Sequence, residues 1–277
     1  SGWEAGAYTA LPYRVFPISM AHEAFRHMAQ ARHLGKIVLC LEDRALRVAP
    51  RRDTTGRLRP DATYLVTGGL GGFGLLIARW MVEQGARHLV LMGRSGAATE
   101  AARAAVRSLE EAGATVVVAR GDVTREHDLS AVLADIRDRL PPLRGVVHAA
   151  MVLDDCILPN LDGERMNRVF FPKVLGAWHL ARLSRHEPLD FFVLFSSCSA
   201  ILGLPGQANY DAANSLLDAL AWQLRAHGVP ATSINWGYLG EVGYAASHAE
   251  VAARFEKIGV PSVSPESALE ALGQIVD

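Results

Sequence analysis

From residue 63 onward, short apolar runs alternate with longer stretches whose apolar positions recur every three or four residues. TYLVT (63–67), HLVLM (88–92), TVVVA (115–119), RGVVH (144–148), DFFVLF (190–195) and ATSINW (231–236) have the length and β-branched or aromatic content of strands. The segments between them, 72–84, 99–112, 125–139, 164–183 and 208–227, read as helices. TVVVA and FFVLF are apolar throughout, which predicts strands covered by helices on both faces. The alternation predicts an α/β fold with a doubly wound parallel sheet of Rossmann-like type. Residues 1–46 differ: one helix over 19–31, with Ser19 as N-cap and Glu23 close behind, then a strand over 36–42. Such a piece cannot bury much surface alone and reads as an appendage of a neighbouring domain. Between the parts, RVAPRRDTTGRLRPDA (47–62) has no apolar periodicity and reads as a linker.

Composition removes several classes. Half the residues are hydrophobic and the net charge is −1, so no basic field exists to attract nucleic acid or an anionic membrane. Cys40, Cys156 and Cys198 have neither metal-ligand spacing nor a disulfide framework, which suits a reducing cytoplasm. No apolar run approaches the ~18 residues of a membrane span. The start, SGWEAGAYTA, lacks the basic and apolar regions of a signal peptide and has no initiator Met, and the end is QIVD. The chain reads as a piece of something longer.

Chemistry enters at the first strand–helix turn, TGGLGGFG: Thr67, Gly68, Gly69, Leu70, Gly71, Gly72, Phe73 and Gly74. Glycines here allow a tight turn, let backbone approach a pyrophosphate and aim a helix N-terminus at negative charge. The spacing Gly68, Gly72, Gly74 is that of short-chain dehydrogenases. The second strand ends in LMGRSG, where an acidic residue would favour NAD. Arg94 and Ser95 suit a 2′-phosphate instead, which predicts NADPH, although a solvated surface arginine is the plainer reading. By position, Asp122 and Val123 meet the adenine, and His148, Ala149 and Ala150 lie beside the cofactor.

In QANYDAANS, Tyr210 opens a helix and Asn214 follows one turn later, where a proton-donating tyrosine usually has its lysine. Ser196, Ser197 and Ser199 end the fifth strand, and Lys173 stands in the preceding helix. Taken singly, Lys173 reads as a surface lysine, Ser197 as a strand-end hydroxyl and Tyr210 as a half-buried aromatic. The pieces KVLGAWHL, FSSCSAILGLPGQANYDAANSLLDALA and INWG, in this order, resemble the ketoreductase catalytic domain of type I modular polyketide synthases, a branch of the short-chain dehydrogenase/reductase superfamily. In that family the usual Lys and Asn exchange places. The resemblance implies that Tyr210 is the general acid, Ser197 orients the carbonyl oxygen, Lys173 holds the ribose and lowers the tyrosine pKa by its charge, and Asn214 supports Lys173. It also implies that Asn235, Trp236 and Gly237 border the cofactor.

The substrate so implied is a β-ketoacyl thioester on an acyl carrier protein. Leu153, Asp154 and Asp155 resemble the fingerprint of B-type domains, which give the D-hydroxy product; an acidic loop bonded to its own backbone is the alternative. The tryptophan of A-type domains is absent from ILGLPGQAN. The stretch YLGEVGYAASHAEVAARFEKIG (238–259) suits a lid. LPYRVFPISMAHEAFRHMAQARHLGKIVL resembles the C-terminal end of an enoylreductase domain, so residues 1–46 are assigned to it, 47–62 to the linker and 63–277 to the catalytic domain. The ketoreductase structural subdomain would then lie outside this chain. Two other readings stay open: a catalytically silent scaffold, and a sugar-nucleotide epimerase or dehydratase, against which Asn214 counts.

Overall fold

The computed structural model describes residues 11–31, 33–42, 58–239 and 262–276. The chain divides into two compact units, residues 1–54 and 55–277.

In the first unit, β1 (Tyr13–Pro17) and β2 (Lys36–Cys40) pair in parallel, joined through a short 3₁₀ turn (Ile18–Met20) and α1 (Ala21–Ala29). Strand β1 was not anticipated, because YRVFP has one clear apolar alternation and ends in proline. Ser19 sits inside the 3₁₀ turn; the residue before α1 is Met20, which makes no side-chain cap. Phe16 and Ala24 are buried, whereas Tyr13, Val15, Phe25, Leu34 and Val38 are exposed.

The second unit is built on six parallel strands in the order β5-β4-β3-β6-β7-β8, where β3 is Thr63–Thr67, β4 His88–Gly93, β5 Thr115–Arg120, β6 Leu143–His148, β7 Phe191–Ser197 and β8 Ala231–Trp236. Every predicted strand forms. Among the described residues the helices are α2 (Gly72–Glu83), α3 (Glu100–Glu111), α4 (Glu126–Arg139), α5 (Gly163–Phe170), α6 (Gly176–Leu183), α7 (Ser199–Leu202), α8 (Ala208–Ala226) and α9 (Pro265–Val276). Alternation along each strand divides the core. Val66, Leu91 and Val193 pack with Ile77, Met81, Leu109 and Leu272 on one face; Leu65, Val90, Phe192 and Leu194 pack with Leu133, Leu180 and Leu217 on the other. The Thr99 hydroxyl caps α3 by accepting from the Ala102 N–H at 3.1 Å, and the Asp162 carboxylate caps α5 by accepting from the Arg165 N–H at 2.8 Å.

Three features depart from the sequence expectation. TVVVA forms the edge strand β5 and is only half covered; its composition carries no information on sheet order. The stretch read as linker is packed at its end: Leu58 and Ala62 join the core, the Leu58 N–H donates to the Gln84 carbonyl at 3.0 Å, and the Arg59 N–H to the Tyr64 hydroxyl at 2.8 Å. The helix expected over 164–183 is interrupted by a wide π-type turn, Phe171–Leu175. Pro172 has no N–H for the helical ladder, and its ring crowds the carbonyl a turn earlier, so the backbone loosens there. The residues expected to form a lid lie outside the described residues from 240 on.

Candidate active site

The six strands of this sheet point their carboxyl ends the same way, so the loops after β3, β4, β5, β6 and β7 converge at one sheet edge. The glycines after β3 are there for close approach. Gly68 has φ +72°, donates its N–H to the Met92 carbonyl at 2.9 Å, and a Cβ on it would lie 2.9 Å from the Ala149 backbone. A Cβ on Gly69 would stand 2.8 Å from the Val66 carbonyl oxygen, and one on Gly74 only 2.2 Å from that of Gly68. Beside this turn lies a cleft of about 360 Å³, to which Gly68, Leu70, Gly71, Arg94, Ser95, Asp122, Val123 and Ala150 all contribute. Arg94 is exposed and makes no ion pair or hydrogen bond among the described residues, which leaves its guanidinium available. Asp122 is fixed by its neighbours: its N–H donates to Asp128 at 2.8 Å and its carboxylate accepts from the Thr124 N–H at 2.9 Å.

Other residues assigned to the cofactor have structural partners as well. Phe73 is buried and packs its ring against Phe195 and Trp236, at centroid distances of 6.0 and 5.7 Å. His148 is buried, with Nε2 2.9 Å from the Lys173 carbonyl and Nδ1 2.7 Å from the Thr67 hydroxyl. A carbonyl can only accept, so Nε2 carries the proton and the Thr67 hydroxyl donates to Nδ1. The ring therefore faces inward rather than into the cleft, and burial lowers its pKa to about 4. Unfolded histidine titrates near ~6.5. Between those values the unfolded chain binds the extra proton, so stability is lost as pH falls from about 6.5 towards about 4. Melting followed from pH 7 to 4 is expected to show that loss, at most roughly 3 kcal/mol from this residue. His148→Gln should flatten the slope; an equally steep one would remove His148 as its cause.

The structure gathers Lys173, Ser197, Tyr210 and Asn214. Lys173 is no surface lysine: it sits on the π-type turn with 2 % of its area exposed and donates Nζ to the Phe195 carbonyl at 2.8 Å. The same Nζ lies over the Tyr210 ring, 5.0 Å from its centroid. Ser197 ends β7, where its hydroxyl oxygen accepts from the Ser199 N–H at 3.2 Å and its O–H stays available to donate. Burial pushes the Tyr210 phenol up to about 12; Asn214 and Ser197 pull it down, and Asp155 and Asp211 push it further up. Burial thus outweighs any lowering of the tyrosine pKa by a nearby charge. The Lys173 amine addresses the ring face and a carbonyl, and burial lowers the lysine itself to about 7 against the field of Asp218. Asn214 does not hold Lys173. Its side-chain atoms are buried and meet no partner at hydrogen-bond geometry, and its carbonyl accepts from the Ser196 hydroxyl at 3.3 Å.

The loop after β6 is tied to the helix carrying Tyr210. Asp154 bridges Arg165 at 2.7 Å and Arg168 at 2.9 Å, and its carbonyl accepts from the Asn209 amide at 2.9 Å. Asp155 accepts from the Gln207 amide at 2.7 Å. These contacts reach other elements, so the loop is not merely bonded to its own backbone; Leu153 directly precedes the two anchoring aspartates and is partly exposed.

This assembly has counterparts. The KR domain family matches residues 62–241. The chain belongs to that family. A highly reducing polyketide synthase of Aspergillus terreus is 42 % identical over 270 residues, 96 % of this chain and 10 % of that protein. Among solved structures, an A1-type ketoreductase shares 39 % identity with a TM-score of 0.76, over 83 % of this chain and 48 % of that one. The ketoreductase from the first module of phoslactomycin biosynthesis in Streptomyces sp. HK803 shares 36 % with a TM-score of 0.75, over 80 % and 50 %. The chain thus spans about a tenth of the polyketide synthase and half of each solved chain. It is a KR domain of the kind found in polyketide synthases, on the Rossmann-like fold of the NAD(P)-binding reductases.

Several residues of this ketoreductase domain escaped the sequence reading. Pro172 lines the cleft, and a proline inside a helical pattern was its available signal. Gln207 and Asn209 fasten the Asp154–Asp155 loop, and the field of Asp218 favours the charged form of Lys173; none of them stands in a pattern that marks it beforehand. Asn235, assigned to the cofactor, spends its amide on Asp218 at 2.8 Å and on the Ser196 hydroxyl and Ser197 carbonyl at 3.2 Å each.

Proposed function

We propose that this domain reduces the β-ketone of an acyl thioester held on an acyl carrier protein, with NADPH as reductant and a D-configured β-hydroxyl as product. The observation that carries the reading is the Lys173 amine lying over the Tyr210 ring, 5.0 Å from its centroid, in a domain whose sheet edge bears Ser197 and the glycine cradle. The cofactor fits that cradle: the turn packs too closely for a Cβ at Gly68, Gly69 or Gly74, and Gly71 opens onto the cleft with nothing within 4 Å of an added Cβ. Gly68, Leu70 and Gly71 would hold the pyrophosphate, Asp122 and Val123 the adenine, and Arg94 with Ser95 the 2′-phosphate. When bound, the nicotinamide supplies the hydride. Ser197 donates a hydrogen bond to the substrate carbonyl oxygen, and Tyr210 gives it a proton as negative charge develops there. With a pKa of about 12 the phenol is fully protonated at neutral pH, as an acid must be. The phenolate left behind lies beneath the Lys173 ammonium. Asp154 and Asp155, clamped by Arg165, Arg168 and Gln207, fix the loop that presents Leu153 to the acyl chain, which supports the B-type reading.

The wider assignment belongs to the same proposal. Residues 1–46 are the tail of an enoylreductase domain, 47–62 connect it, and 63–277 form the catalytic part, with the structural subdomain elsewhere in a longer cytoplasmic polypeptide. The exposed apolar side chains of the first unit support this, since such a surface belongs against the rest of a domain.

The test is NADPH consumption with a β-ketoacyl thioester, followed by chiral analysis of the alcohol. The D-alcohol is expected. The L-alcohol would overturn the stereochemical part, and no turnover even in the longer polypeptide would overturn the whole. Arg94→Asp is expected to move kcat/KM by at least about tenfold from NADPH towards NADH, since a phosphate would then face a carboxylate. An unchanged ratio would place the phosphate elsewhere.

A further inference from the structure

Tyr210, Asn214 and Asp218 stand four residues apart along α8 and so share one face of that helix. Asp218 is held by β8, where alternate residues present their side chains to the same side. The Ser233 hydroxyl and the Asn235 amide both donate to its carboxylate, the latter at 2.8 Å. Asn235 extends the connection to the Ser196 hydroxyl and the Ser197 carbonyl, and the Ser196 hydroxyl returns to the Asn214 carbonyl at 3.3 Å. A closed circuit therefore runs from the helix bearing Tyr210 to the strand end bearing Ser197, with one carboxylate as its hub. The buried Lys173 faces Tyr210 from α8, and its carbonyl meets the neutral His148 ring from β6. Asp218 is the carboxylate whose field favours the charged amine among the described residues.

We infer that Asp218 is a positioning residue of the reduction: it locks Tyr210 and Ser197 in register through Asn235 and supplies the counter-charge that keeps Lys173 an ammonium. The inference rests on the reading of Tyr210, Ser197 and Lys173 as the reacting group set, but its test needs neither substrate nor cofactor. The chain has three lysines, Lys36, Lys173 and Lys257, so ¹³Cε-lysine NMR gives three resonances, with Lys173→Met identifying one.

Titrating the whole chain with Asp218→Asn should move the Lys173 midpoint down by about half a pH unit or more, roughly a threefold loss of proton affinity. A purely structural Asp218 would leave that midpoint in place, and an unmoved midpoint in a folded variant overturns the inference. Should Asp218→Asn not fold, the unaltered protein decides. The Asp218 carboxylate carbon is expected to shift at the Lys173 midpoint, and a carboxylate signal flat through that midpoint overturns the inference. Loss of turnover in the unaltered chain with the midpoint shift intact would instead count against the proposed reaction alone.

Discussion

Replacing Tyr210 by phenylalanine is expected to lower turnover of a β-ketoacyl thioester by about 10²- to 10⁴-fold, the usual contribution of a positioned general acid, while NADPH binding is kept. The change removes one oxygen and leaves the ring under Lys173, so the packing that places the amine over it persists. The fold should not suffer, because phenylalanine keeps the ring and burial already disfavours the phenol's ionised form. Turnover falling with KM for NADPH unchanged is the signature of an interaction made only in the transition state. Cofactor fluorescence titration and steady-state rates on the same preparation separate the two, and turnover within about threefold of the parent would remove Tyr210 from the chemistry.

The second large effect is expected at Gly74, and it acts on cofactor binding and stability together. An added methyl would stand 2.2 Å from the Gly68 carbonyl oxygen and 2.8 Å from the Gly69 Cα. Both are backbone atoms in a turn already held by the Met92 carbonyl, so neither can swing aside as a side-chain tip would. The first turn of α2 must then move away from the loop, and the helix N-terminus that would face the pyrophosphate moves with it. Overpacking of this kind costs about 3 kcal/mol, or a melting temperature lower by roughly 6 to 12 °C in a domain of this size, with NADPH affinity reduced at least about tenfold. Gly71→Ala is the control. Gly71 has extended backbone with φ −156°, and nothing lies within 4 Å of its added Cβ, so stability should change by less than about 1 kcal/mol. Equal losses at both positions would mean that the loop is sensitive for a reason other than close approach.

What the sequence made legible follows from how local each signal is. The strands of the large unit are short apolar runs between turn residues, and their alternation with helices dictates a parallel sheet, so they could be read one by one. Sheet order is not local, and TVVVA, apolar like the central strands, turned out to be an edge. Strand β1 and helix α9 were missed because a five-residue segment ending in Pro17 and a terminal amphipathic segment have no neighbours to establish a rhythm. At the site, Tyr210, Ser197, Lys173 and the glycine turn were found because their spacing is characteristic of a family. Their electrostatics were not legible. Burial is a property of the assembled core, and it reverses the tyrosine shift that a nearby lysine would suggest. His148 was placed beside the cofactor by strand position alone, and Asn235 by the family resemblance. The structure turns His148 inward to Thr67 and the Lys173 carbonyl, and Asn235 to Asp218.

In this chain the amine and the phenol belong to different elements, Lys173 to the π-type turn and Tyr210 to α8. Were both on one helix, their separation would be set by the helical repeat and would last as long as the helix did. Here it is set by how the loosened turn at Pro172 lies against a neighbouring helix, which is a softer quantity. The chemistry should therefore be more fragile than the fold: mild heat or low urea can spread the pair apart while every strand of the sheet is still formed.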